Sequence, residues 1–146
     1  MVEGAAKMIV RCVTVNRDRE PQDAMRATGC CFYGNQAVIE AMPRGDGDEV
    51  EVWFFKSDRY MNDADLEREY KSHNLVPVDP YSLAAVNEAD PAFADKYPNA
   101  THWRNDDDKW CYAAFYRDDD GRNVQVRHRR IGWSHGQWFA GLRQQS

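Results

Sequence analysis

The residues able to do chemistry are few and scattered. Histidine stands at His73, His102, His128 and His135, and cysteine at Cys12, Cys30, Cys31 and Cys111. A transition-metal site shows in sequence as closely spaced ligands such as H-x-x-x-H, H-E-x-x-H or C-x-x-C. None of these pairs occurs. His128 and His135 flank one loop, and His102 with Cys111 would face them across a hairpin, a spacing too loose to define a ligand set. The loop around Asp118, Asp120 and Gly121 has Tyr116 where a calcium loop needs its first ligand, and no glutamate follows at the twelfth position. Ser134 and His135 are chain neighbours, which does not set a base against a hydroxyl, and there is no G-x-S-x-G elbow. Cys111 falls in a run that reads as a buried strand, where a thiol is ordinarily inert. Glycine-rich phosphate cradles are absent. No catalytic residue, metal ligand or cofactor is therefore assigned. An enzyme would need a private arrangement in which His102, His128 or His135 meets a carboxylate or a thiol.

The second kind of chemistry is recognition. Four of the five tryptophans lie between Trp103 and Trp138. From Arg117 to Arg143 there are six arginines against three aspartates. Arginines on phosphates with aromatic rings stacked on bases is how single strands are gripped. The candidate binding residues are Arg127, Arg129, Arg130, Trp133, His135 and Trp138. The acidity of the chain, net charge −5 with pI near 5.3, weighs against a dedicated nucleic-acid binder. Between Asp46 and Asp95 stand thirteen acidic residues and four basic ones, so one part of the chain is acidic and another basic. Asymmetry of this kind marks either a partner surface or ordinary solvated faces.

Length and composition frame these residues. A chain of 146 residues is one domain that can bury a single core. An apolar fraction of 42% supports a folded chain, and a mean hydropathy of −0.80 requires a charged surface. No apolar run reaches a membrane span, so no membrane partner is expected. The start lacks an apolar stretch followed by a cleavage site, so a secretory signal is not expected. Residues 1–7 read as a tail, with Met8 as the natural start of one domain over 8–146. The cysteine spacing fits no disulfide framework, which points to reduced thiols and a cytoplasmic protein.

The elements follow from caps and periodicity. Ile9–Val15 and Glu49–Lys56 read as strands, the second apolar on both faces at its end. Pro21 opens a short helix that Gly29 closes, and Asn35 caps another that Pro43 stops. Asn62 caps a helix with Leu66, Tyr70 and His73 on one face, ending near Asn74. Asp79-Pro80 and Asp90-Pro91 each read as a cap followed by the first helical residue. Leu83, Val86 and Phe93 are the core residues of these two helices. Trp110–Arg117, a turn at Asp118–Gly121, Asn123–Arg130 and Gln137–Arg143 read as a closing antiparallel meander, with Trp110 and Trp138 facing the helices. The sum is an α+β two-layer sandwich: a mostly antiparallel sheet of about five strands with short helices on one face.

The segments DPYSLAAVNEADPAFADKYPNATHW (Asp79–Trp103), KWCYAAF (Lys109–Phe115) and WFAGLR (Trp138–Arg143) resemble a family of small uncharacterised bacterial and metagenomic proteins. The PQDAMRATG, VIEAMP and EVEVWFFK pieces extend the resemblance over most of the chain after Arg11. It implies an autonomous single-domain protein and brings no activity, substrate or catalytic residue. RHRRIGWSHG (Arg127–Gly136) matches least well. The sequence thus reads as a small non-enzymatic cytoplasmic binding or regulatory protein with a protein partner. The alternatives are nucleic-acid binding through the Arg/Trp-rich C-terminal strands and a small enzyme with a His/carboxylate site. No oligomeric state is implied.

Overall fold

Backbone donors at helix starts need acceptors. In the computed structural model, which describes residues 7–128 and 132–144, side chains supply several of them. Asn35 accepts from the Val38 N–H at the start of α2 (Gln36–Glu40). Asn62 and Asp65 form a reciprocal capping box at the start of α3 (Asp63–Ser72). Asp79 accepts from Ser82 at the start of α4 (Pro80–Ala89), with Pro80 at the first helical position. The earlier helix, α1 (Pro21–Arg26), is followed by Gly29 at φ +80°, the left-handed conformation glycine adopts without strain. Asp90-Pro91 departs from expectation. The N–H of Asp90 closes α4 on the Val86 carbonyl, so Asp90 is the end of one helix rather than the cap of the next. The following helix, α5, spans only Phe93–Lys96, with no side-chain cap.

Eight strands are present among the described residues: β1 (Ile9–Thr14), β2 (Cys31–Gly34), β3 (Glu49–Lys56), β4 (Leu75–Pro77), β5 (Asn99–Arg104), β6 (Trp110–Asp118), β7 (Gly121–His128) and β8 (Trp138–Arg143). They form one open sheet in the order β1-β3-β8-β5-β6-β7-β2, with β4 also on β8. The β2–β7 and β5–β8 pairs are parallel and the rest antiparallel. The sheet is thus larger than the five strands expected. The closing meander is also corrected: β8 does not follow β7 but returns to the middle of the sheet, between β3 and β5. Its residues explain the position, because Phe139 and Ala140 point to opposite faces and both are fully buried. Such a strand needs cover on both sides.

The expectation of helices on one face is corrected as well. On the first face Val52, Phe54, Ala113, Phe115, Val124, Val126 and Ala140 pack against residues of α1, α2, α4 and α5. On the second, Phe55, Ala100, Ala114 and Phe139 pack with Leu66 and Tyr70 of α3 and with Met61 and Trp133. The paired apolar faces of β3 require both layers. Tyr70 reaches the sheet over Gly141, where an added Cβ would lie 3.0 Å from the Tyr70 ring and 2.8 Å from the Val76 carbonyl. The Tyr70 hydroxyl donates to the Ala140 carbonyl at 2.7 Å.

One irregularity of the sheet positions the site. The side of β8 away from β3 is shared by two strands. β5 uses it through Asn99 and Ala100, and β4 uses it through Leu75–Pro77. Past Ala100, β5 leaves β8 and continues to Arg104 with β6 as its one strand partner. The sheet is forked there.

Candidate functional site

The fork leaves main-chain groups of β5 without a strand partner. The Trp138 N–H donates to the Pro98 carbonyl, and on the other side the Asn105 N–H donates to the Lys109 carbonyl, each at 2.9 Å. Main-chain groups alternate in direction along a strand. Even-numbered residues of β5 therefore face the β8 side and odd-numbered ones face β6. The groups of His102 and Arg104 consequently point into the fork, where neither residue has a ladder partner among the described residues. The fork is a cleft of about 340 Å³. Pro77, Val78 and Asp79 line one wall, Trp103, Arg104 and Trp110 the other, with Pro43 at the rim and Glu67 and His102 below. Thr101 holds the narrow end closed by donating to the Val78 carbonyl at 2.6 Å.

The walls are fixed by ionic contacts. Asp79 takes the Arg17 guanidinium at 2.9 Å while capping α4. Arg17 also donates to the carbonyls of Arg44, Asp46 and Gly47, so the Arg44–Asp48 turn is pinned beside the cleft. Gly45 permits this: at φ +71°, its added Cβ would meet Asp79 at 2.3 Å.

Beneath the cleft His102 is fully buried, and both its ring nitrogens meet carboxylates of α3. Nδ1 lies 2.8 Å from Asp63 Oδ1, and Nε2 lies 2.8 Å from Glu67 Oε2. Asp63 and Glu67 are four residues apart, hence on one helix face. Burial pulls the imidazole down, but the hydrogen bonds and charges of Asp63 and Glu67 outweigh it and hold its pKa above the ordinary value. The hydrogen bond from His102 in turn holds the Glu67 carboxyl below its ordinary value, against burial. In its protonated form, which this raised pKa favours, His102 donates to both carboxylates at once. Its ring stacks on Trp110 at 4.1 Å and faces Tyr70 at 5.8 Å, and the Arg104 guanidinium lies over Trp110 at 4.6 Å. Trp110 therefore faces α3 rather than the helices of the first face, which corrects its expected position. Among the described residues no group of three ligand-type side chains could hold a metal ion.

Of the residues singled out in the sequence, the described ones are not brought together as an exposed patch. Trp133 is 1% exposed and packs edge-on against Tyr112 and Phe139. Its main chain pairs with Met61, closing the second core, and its indole N–H reaches Asp63 Oδ1 at 3.5 Å. Trp138 is half-buried on the first face, edge-on to Tyr97. Arg127 and His135 are exposed, and Arg129 and Arg130 lie outside the described residues. Two further arginines, Arg117 and Arg122, converge on Asp95 at 3.6 and 2.8 Å. His102 and Cys111 lie on opposite faces of the sheet. The parts that sequence reasoning missed are Asp63, Glu67 and the free edge of β5. The one signal for the first two was their i, i+4 spacing behind the Asn62 cap. Comparison of the chain with protein-family models, with curated proteins and with solved structures returns no match.

Proposed function

We propose that the protein is a peptide-recognition module that takes an extended segment of a partner protein onto the free edge of β5. The observation that carries this reading is the stretch of β5 past Ala100, which has no ladder partner on its β8 side and faces a cleft walled by indole and proline rings. Unpaired strand edges template added strands, and main-chain hydrogen bonds give such complexes their affinity. Selectivity falls to Glu67, whose side chain is 38% exposed and held ionised by His102. It favours a lysine or arginine in the incoming segment, resting beside Trp110. The histidine–carboxylate cluster argues less well for catalysis. Both ring nitrogens of His102 are already engaged, and a carboxylate with a lowered pKa is a weak base.

Selection from a displayed library of random linear peptides tests the reading. Enriched peptides should carry a basic residue, and their affinity should fall about tenfold for Glu67→Gln, the size of one charge-assisted hydrogen bond. Arg104→Pro should abolish binding, because it removes an N–H aimed into the cleft while leaving the β6 ladder intact. No enrichment, or peptides indifferent to both substitutions, would overturn it.

A further inference from the structure

A second cavity, also about 340 Å³, lies on the first face of the sheet, beneath α2. Its floor is set by strand register. Trp103 of β5 pairs with Cys111 of β6, which pairs with His128 of β7, so the three side chains stand in one row. Val38 of α2 and Ala41 at its C-terminal cap form a wall, and the turn between β5 and β6 forms the rim.

Two independent features make this more than a crevice. Nδ1 of His128 is buried and has no hydrogen-bond partner among the described residues. Buried ring nitrogens are normally paired, and His128 also lines the cavity, so a rotation of its ring would present the unpaired nitrogen to a ligand group. At the rim, Asp106 and Asp107 are exposed, and neither carboxylate has an ion-pair partner among the described residues, whereas neighbouring Asp108 takes Arg104. Asn105 fixes the turn by accepting from the Asp107 and Lys109 N–H groups, so both carboxylates are held at the mouth. Burial pushes the Cys111 thiol up, and it lines the floor as a neutral thiol rather than a nucleophile.

We propose that this cavity is a binding site for a flat aromatic amine, its ring on Trp103, a ring heteroatom or N–H on His128 Nδ1, and its ammonium group at Asp106 and Asp107. The site goes beyond the peptide cleft. Trp103 alone lines both, each from its own side.

The test is an NMR titration of the full chain with three probes sharing one ring: tryptamine, indole and indole-3-acetate. Tryptamine should give saturable shifts at Cys111, His128 and the Trp103 indole N–H. Indole should bind about two- to fivefold more weakly, the size of an exposed ion pair, and indole-3-acetate weakest. His128→Phe keeps the ring volume and should weaken tryptamine about fivefold by removing the hydrogen bond. Ala41→Trp, at an exposed position, fills the cavity and should abolish tryptamine binding while peptide binding at β5 persists. The proposal is overturned if tryptamine gives no saturable shifts, if the shifts map elsewhere, if indole-3-acetate binds best, or if a folded His128→Phe binds as the wild type does.

Discussion

At the scale of single residues, a buried histidine is ordinarily neutral, because burial opposes the charged form. His102 reverses this because two carboxylates share its protons. The consequence for stability has a definite sign. His102 has a raised folded pKa, so its contribution is complete below its ordinary value of 6.5 and is lost as pH rises through the folded value. Glu67 is lowered, so its contribution is present above 4.5 and is lost as pH falls through its folded value. The tie between α3 and β5 is therefore strongest between those two values. Urea unfolding across pH should show His102→Gln less stable than wild type by about 2–3 kcal/mol in that window, discounted because Glu67 is partly solvated. The gap should narrow on the alkaline side. A gap that widens with rising pH would mean His102 is neutral in the folded state. Tyr70→Phe should cost less, about 1 kcal/mol. The Ala140 carbonyl it leaves still accepts from the Val78 N–H at 3.2 Å.

At the scale of elements, the two Asp-Pro pairs look alike in sequence and differ in structure. Asp79 caps α4 and holds Arg17 with both side chains mostly buried, whereas Asp90 makes no side-chain cap. Asp79→Ala should therefore cost about 3 kcal/mol, a fall in melting temperature of roughly 6–12 °C. Asp90→Ala should stay within about 0.5 kcal/mol. Equal effects in a thermal melt would contradict the assigned caps. Caps were readable in the sequence because they are local: Asn35, Asn62 and Asp79 each bond three residues on. The strand Glu49–Lys56 was readable because its apolar side chains alternate with charged ones and then fill both faces. β5 was not, because its buried positions are mostly polar. Asn99, Thr101 and His102 are satisfied by Asn87, by the Val78 carbonyl and by two carboxylates, all distant in sequence. A buried strand made of satisfied polar residues gives no hydropathy signal. With β5 unseen, the fork and the place of β8 could not be inferred either.

At the scale of the whole molecule, the acidic and basic parts of the chain touch rather than stand wholly apart. Arg122 and Arg117 of the basic part meet Asp95 of the acidic part, and Arg143 lies over Trp53. Read from sequence, those arginines formed a free cationic surface with Trp133 and Trp138. Only packing reveals that Trp133 is internal, that Trp138 is half-buried against Tyr97 and that three of the cations are engaged. What the outer face of β6, β7 and β2 offers is a smaller set, with Tyr33 and Arg127 exposed. Gln125 there donates to the Tyr116 hydroxyl at 2.8 Å and accepts from Tyr112 at 3.2 Å, so these groups are occupied with one another. Affinity for single strands rests on neutralising several phosphates at once, and it declines with salt in proportion to their number. With net charge −5 the long-range field repels a polyanion. Fluorescence anisotropy with a short oligothymidylate should therefore show no saturable binding even at low ionic strength. Saturable binding that weakens steeply with added salt would show that a multi-residue cationic surface exists after all. The peptide cleft at β5 would then be the wrong place to look for the partner.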